Sequence, residues 1–294
     1  MTNFTWKGVG VALVTPFHAD ETIDYKGLLR LLQHTENYVD YWVVHGTTGE
    51  AVTTTTQEKA AILQFVKANN PKQVPIMYGL GGNNTKQILE EIKKIDFEGV
   101  GAILSVSPYY NKPSQSGIIK HYQTIADHSP VPIMLYNVPG RTSSNLSVET
   151  TLLLAKHPNI LGIKEASGNL VQCMQIAKDK PKDFLLLSGD DILTVPSVSF
   201  GAVGVISVLA NALPKEFCQM VRFALDGDYA NASILLYRFL ALNDLMYAEG
   251  NPVGIKALLE IMGICRSYVR PPMDTASLGL VEKIKQELSN WDSV

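Results

Sequence analysis

Eight apolar runs of strand length, roughly 20–30 residues apart, recur through the first 210 residues of this 294-residue chain. They cover 10–15 (GVALVT), 41–45 (YWVVH), 74–80 (VPIMYGL), 101–106 (GAILSV), 131–137 (VPIMLYN), 160–164 (ILGIK), 184–188 (FLLLS) and 204–208 (GVISV). None alternates polar with apolar residues, so each reads as a strand buried on both faces, the habit of parallel sheets. Helix-period stretches lie between them. Residues 24–36 set Leu28, Leu29, Leu31 and Leu32 at helical spacing, and Thr55 with Glu58 forms a capping-box pattern ahead of AAILQFV. Residues 147–156 and 169–178 behave similarly. Eight strands alternating with helices predict an α/β fold of the (β/α)8 TIM-barrel kind. An open doubly wound sheet competes, but it usually has fewer strands and a glycine fingerprint after the first. Here the first run ends in Thr15-Pro16-Phe17.

After Val208 the strand pattern stops. Residues 214–225, 229–247, 252–262 and 275–288 read as helices, the first of them as the barrel's eighth. The predicted division is a barrel over 1–225 that carries the active site, followed by a C-terminal α-helical region over 226–294. Composition narrows the partners. With 46% hydrophobic residues the chain has ample material for a core, which excludes wholesale disorder. A net charge of −3 gives no reason to expect nucleic acid or an anionic membrane. Three scattered cysteines form no C-x-x-C pair and no disulfide framework, which fits a reducing interior. Neither a signal peptide nor an apolar run of about 20 residues is seen, so the expected location is the cytoplasm.

In a barrel of this kind, chemistry gathers where strands end and βα loops begin. The polar motifs fall there. Gly46-Thr47-Thr48-Gly49-Glu50 follows the second run and Pro108-Tyr109-Tyr110-Asn111-Lys112-Pro113 the fourth. The fifth ends in Tyr136-Asn137-Val138-Pro139-Gly140-Arg141-Thr142, the sixth in Lys164-Glu165-Ala166-Ser167-Gly168, and the seventh in Ser188-Gly189-Asp190-Asp191. Lys164 is the most informative of these residues. A free lysine, with a pKa near 10.4, is only about 0.1% neutral near pH 7.5. Desolvation in an apolar barrel mouth lowers that pKa and supplies the neutral amine that attacks a ketone to form a Schiff base. The bland alternative is a structural lysine paired with Glu165 or reaching to the rim. Hydroxyls of Thr47, Thr48, Tyr110 and Tyr136 would converge on it only if a barrel closes, and could pass protons during carbinolamine formation and dehydration. Arg141 offers a planar fork suited to a substrate carboxylate, against a surface ion pair as its alternative.

The motifs GTTGE at 46–50, SPYYNKPSQ at 107–115, YNVPGRT at 136–142, GIKEASGN at 162–169, SGDD at 188–191 and GVISV at 204–208 resemble the dihydrodipicolinate synthase family. The likeness runs from GVALVTPF through the segment Glu249-Gly250-Asn251-Pro252 to the C-terminal helices, essentially the whole chain. It implies a class I aldolase-type condensation in lysine and diaminopimelate biosynthesis. Lys164 would form a Schiff base with pyruvate, whose enamine attacks L-aspartate 4-semialdehyde, and no metal or organic cofactor is required. By the same resemblance Tyr136 is the proton donor and acceptor, and Thr47 and Tyr110 complete the relay, with Tyr110 reaching in from a neighbouring subunit. Thr48 and the backbone at Ile206 would contact the pyruvate carboxylate, and Arg141 the carboxylate of the semialdehyde. A borrowed Tyr110 implies a homo-oligomer, commonly a tetramer built as a dimer of dimers, with a dimer as the alternative.

One region departs from the family's pattern. Lysine-inhibited members carry a Ser, two His and a Glu where Ala51, Thr56, Lys59 and Gln87 stand here, while Asn83 and Tyr109 match. Losing an acid and gaining a cation disfavour a lysine ammonium, so weak or absent lysine inhibition is expected. Two other functions compete. An N-acetylneuraminate lyase or 2-keto-3-deoxy-sugar aldolase would keep the mechanism and change the acceptor; Tyr110 and Arg141 argue against it. A non-catalytic keto-acid-binding paralogue would be expected to have lost the lysine or a relay hydroxyl, and all are present. The glycine-rich segment 79–84 lacks the spacing of a phosphate loop and reads as a tight βα turn. Six histidines show no metal-ligand spacing. His45 could line the site or the core, and Asp190-Asp191 reads as a loop cap rather than a cation site.

Overall fold

A computed structural model describes residues 5–291. All eight runs form strands: β1 (Gly8–Ala12), β2 (Tyr41–Val44), β3 (Ile76–Gly79), β4 (Val100–Val106), β5 (Ile133–Asn137), β6 (Ile160–Glu165), β7 (Leu185–Ser188) and β8 (Gly204–Ser207). They pair in chain order, all parallel, and β8 returns to β1 to close a TIM barrel. The first strand starts two residues earlier than the apolar run. Leu13, Val14 and Thr15 extend that run past the end of the strand: the Leu13 N–H still donates to the Val43 carbonyl at 3.1 Å, but the Val14 N–H turns to the Asn211 side chain at 3.1 Å. Among the described residues twelve α-helices accompany the strands: α1 (Tyr25–Thr35), α2 (Thr56–Ala68), α3 (Thr85–Ile92), α4 (Gln115–His128), α5 (Pro139–Thr142), α6 (Val148–Leu154), α7 (Leu170–Asp179), α8 (Thr194–Ser199), α9 (Pro214–Leu225), α10 (Tyr229–Tyr247), α11 (Val253–Ile261) and α12 (Leu278–Trp291).

The missing alternation has a direct cause. Side chains of a strand point to opposite faces in turn, and here both faces are packed. Tyr41 and Val43 of β2 enter the barrel interior with Met77, Leu104, Met134, Tyr136, Leu187 and Ile206. Trp42 and Val44 point outward to the layer beneath the helices, with Ile103, Ile133, Leu135, Ile163 and Val205. One end of the barrel is plugged. Tyr41 lies beside Gly10, where a Cβ would meet its ring at 2.0 Å, and its edge meets the Trp6 ring at 5.2 Å. The opposite end is left for polar residues.

Helix starts are fixed locally. The Thr55 hydroxyl accepts from the Glu58 N–H at 3.2 Å while the Glu58 carboxylate accepts from the Thr55 N–H at 2.8 Å, the reciprocal capping box expected from sequence. Asp24, Asn84, Ser114, Ser147, Asn169 and Asp228 cap α1, α3, α4, α6, α7 and α10 with a side-chain oxygen that accepts from the N–H three residues on. The C-terminal helices are not a loose tail. Helix α10 packs on α9 and α12, with Phe239 between Phe217 and Trp291 at centroid distances of 5.3 and 4.6 Å. Residues Val253 to Leu259 of α11 are buried throughout. Among the described residues no helix is long and apolar enough to cross a membrane.

Candidate active site

Strand β6 turns Lys164 inward and Glu165 outward, as its two-residue period requires. The Glu165 carboxylate is taken up on the outer side by Asn137 Nδ2 at 3.0 and 3.1 Å, by Gln172 Nε2 at 2.9 Å and by the Ser167 N–H at 2.8 Å. The two neighbours in sequence are therefore not an ion pair. Lys164 is 6% exposed, and its Nζ sits 4.3 Å from the centroid of the Tyr136 ring. The β5–β6 register pairs Tyr136 directly with Lys164, which sets both side chains in one inward layer. Among the described residues no carboxylate lies within ion-pair distance of this ammonium and no acceptor within hydrogen-bond distance. An amine that no ion pair or hydrogen bond ties down is free to reach a substrate carbonyl carbon.

Gly189, just past β7, gives the lysine stem its room. A Cβ there would lie 3.0 Å from Lys164 Cε and 2.6 Å from the Ala166 Cβ. Gly189→Ala is expected to push the amine off its position and lower kcat by about 100-fold, the scale of a one-ångström misplacement. A variant that folds and retains full kcat would show that the position of the stem is not critical.

Lys164 opens into a cavity of about 220 Å³. The turn Thr47–Gly49 after β2 contributes Thr47 and Thr48, β5 contributes Tyr136, the short α5 contributes Arg141, and the β7 end contributes Gly189 and Asp190. Thr47 and Arg141 are exposed at the mouth, and Thr48 is buried. Ile206 is buried on β8 within the barrel interior, in the same inner layer as Tyr136. Its side chain does not line the cavity, and a second expected member stands farther away. Tyr110, at φ +71° in the loop after β4, is 89% exposed and lines no part of this cavity within the chain.

Three lining residues were missed from sequence: Asn243 and Tyr247 on α10, and Asn251 in the turn before α11. The Asn251 Nδ2 donates to Thr48 Oγ1 at 3.0 Å across 203 residues of sequence. Asn243 and Asn251 are each 6% exposed, and the Oδ1 of each has no hydrogen-bond partner among the described residues. Buried asparagines without a full set of partners mark a place where a ligand can bind. In the sequence Asn243 is one polar letter inside a helical segment and Asn251 lies in the break between two. The only available signal was the polar Glu249-Gly250-Asn251-Pro252 interruption between two apolar helices.

The remaining candidates resolve as follows. Asp191 accepts from the backbone N–H groups of Val208 and Leu209, and Asp190 Oδ1 from those of Ile192 and Leu193, so the pair caps two loops. His45 is buried behind the Thr47 turn, where its Nε2 bonds the Lys59 carbonyl at 3.0 Å and burial pulls its pKa down to about 4. It lines a second cavity of about 310 Å³ that shares Thr47 and Tyr136 with the first. All three cysteines are buried thiols.

The chain matches the model of the dihydrodipicolinate synthetase family over residues 5–291. It is 50% identical to the 4-hydroxy-tetrahydrodipicolinate synthase of Cytophaga hutchinsonii, covering 96% of this chain and 95% of that protein. To the enzyme of the same name from Parabacteroides distasonis it is 47% identical, with 98% of each covered. Among solved structures, dihydrodipicolinate synthase from Aquifex aeolicus superposes with a TM-score of 0.92 at 34% identity, covering 98% of both chains. A dihydrodipicolinate synthase described as the first monomeric variant superposes with a TM-score of 0.94 at 32% identity, covering 98% of this chain and 97% of that one. With its barrel, its inward lysine and these relatives along its whole length, the chain belongs to the dihydrodipicolinate synthetase family.

Proposed function

We propose that this protein is a 4-hydroxy-tetrahydrodipicolinate synthase that joins pyruvate to L-aspartate 4-semialdehyde through a Schiff base on Lys164. The observation that carries the reading is the Lys164 amine, buried without a counter-charge against Tyr136 at the head of a cavity that also holds Arg141. Relatives named for that activity support it. The Lys164 Nζ attacks C2 of pyruvate and water leaves. Loss of a C3 proton gives the enamine, whose C3 bonds to the aldehyde carbon. The amino group of the second substrate then attacks C2, closing the ring and returning the lysine. Tyr136 and Thr47 move the protons, Thr48 and the backbone at Ile206 hold the pyruvate carboxylate, and Arg141 holds the carboxylate of the semialdehyde. The scheme needs neither a metal nor an organic cofactor.

The exposure of Tyr110 at positive φ supports a homo-oligomer in which this side chain completes the relay of a neighbouring copy, a tetramer in our reading. The test of function is a coupled assay. Pyruvate with aspartate semialdehyde is expected to turn over and N-acetylneuraminate to remain uncleaved; cleavage of the sugar acid alone would reassign the acceptor.

Feedback by lysine is expected to be weak. Ala51, Lys59, Gln87 and Tyr109 gather in the second cavity, and Asn83 donates to the Tyr109 carbonyl at 3.0 Å. Its one carboxylate, Glu91, already accepts from Gln87 Nε2 at 2.9 Å, and the Lys59 side chain lines the same wall as a like charge to an incoming lysine. Activity is expected to persist at millimolar lysine; strong inhibition below a millimolar would show that this wall accepts the cation.

A further inference from the structure

We propose that the groove between α2 and α3, on the outer side of the barrel, is a binding site for a small aromatic carboxylate. It is a cavity of about 270 Å³ that shares no lining residue with the one at Lys164. Its origin lies in the helix layer. Helix α1 packs on α2 and α3 on α4, but α2 and the short α3 are barely in contact, and the groove fills the gap. As the alternation of β3 requires, Met77 enters the barrel while Tyr78 faces this gap and closes its back. The Tyr78 ring, buried Leu63, half-buried Ile95 and the methyl of Ala60 make an apolar bed between the two helices.

The charges around this bed select the ligand's sign. Both acids on the wall are already hydrogen-bonded. Asp96 Oδ2 accepts from Lys67 Nζ and from Gln64 Nε2, each at 2.9 Å, and Glu91 Oε1 accepts from Gln87 Nε2 at 2.9 Å. Glu90, one turn before Lys94, is taken by Lys93 at 2.9 Å. The ammonium groups of Lys59 and Lys94, by contrast, make no hydrogen bond or ion pair among the described residues. Two cations with unused donors favour an anion over a cation. Tyr78 adds a neutral donor, because burial and the Glu91 carboxylate push its phenol up and keep the proton on. An aromatic ring laid on the bed, with its carboxylate toward the two ammonium groups, answers both the apolar floor and the free charges. Size sets the limit at about one ring, since pockets for drug-sized ligands begin near 300 Å³.

The experiment titrates benzoate, benzamide and benzylamine against the full chain by saturation-transfer NMR, and repeats the benzoate titration on Ala60→Trp and Lys94→Glu. Both positions are exposed, and neither lines the Lys164 cavity or the cavity behind Thr47. Ala60→Trp puts a ring of the protein's own into the groove, and Lys94→Glu reverses one of the free charges. Benzoate is expected to bind with a Kd of about 1 mM, within reach of so small a ligand. Benzamide and benzylamine should bind about 10-fold more weakly. Benzoate binding should be lost in Ala60→Trp and weakened about 3–10-fold in Lys94→Glu, the range for an exposed charge that is not only removed but reversed. No benzoate binding, equal affinity for the three ligands, or a Kd unchanged in Lys94→Glu would each overturn the proposal. So would binding that survives Ala60→Trp, which would place the benzoate in another cavity. None of these readouts uses turnover, so failure of this site and failure of the synthase reading are told apart.

Discussion

Replacing Lys164 by Met is expected to abolish turnover, by roughly 10⁴-fold or more, while leaving the fold intact. Both halves follow from the same environment. The amine holds no hydrogen bond or ion pair among the described residues, so its removal orphans no partner. Methionine preserves most of the stem that lies along Gly189 and beneath Tyr136. Removing a buried polar head group that has no partner leaves nothing unsatisfied, in contrast to breaking a pair. The melting temperature of Lys164→Met should equal or exceed that of the parent. Retained turnover would move the nucleophile elsewhere, and a destabilised variant would show that the ammonium is held by contacts other than those seen.

Replacing Lys256 by Met should do the reverse: a large loss of stability, with activity lost because the site loosens. Lys256, fully buried on α11, donates to the Glu50 carboxylate and to the Tyr268 carbonyl. The other Glu50 oxygen accepts from the Arg270 N–H at 2.9 Å, and its carbonyl accepts from the Thr54 hydroxyl at 2.8 Å. Glu50 directly follows the Thr47–Gly49 turn, so this ion pair ties the turn that lines the cavity to the C-terminal helices. Burial pulls the Lys256 ammonium down and Glu50 holds it up. Without the lysine, a carboxylate stays buried without a cation, a cost of about 3–5 kcal/mol. For a chain of this size that corresponds to a fall in Tm of roughly 6–20 °C. Adding Glu50→Gln to Lys256→Met should recover part of the loss, because the orphaned charge goes with it. If the single variant melts with the parent, the ion pair does not hold the loop.

Much of this was legible in the sequence, for identifiable reasons. Strands buried on both faces leave a contiguous apolar signature, and all eight were found from it. Lys164 stood out because it ends such a run, and the two-residue period then dictates that it and Glu165 face opposite ways. Where the first strand left the sheet was not legible, since Leu13 and Val14 are as buried in the loop as in a ladder. Tyr110 was assigned to the site by family resemblance alone, and within one chain its side chain meets solvent. Asn243, Tyr247 and Asn251 were invisible for another reason. Helical period reports which face is buried, not which distant loop that face will meet, and these residues reach Thr48 and Asp190 only after the C-terminal helices fold back on the barrel mouth.

The most direct measurement is intact mass after incubation with pyruvate and sodium borohydride, followed by peptide mapping. The expected result is one reduced pyruvate adduct per chain, carried on Lys164 and absent from Lys164→Met. An unmodified chain, or an adduct carried by any other lysine, would contradict a Schiff-base enzyme built on this residue.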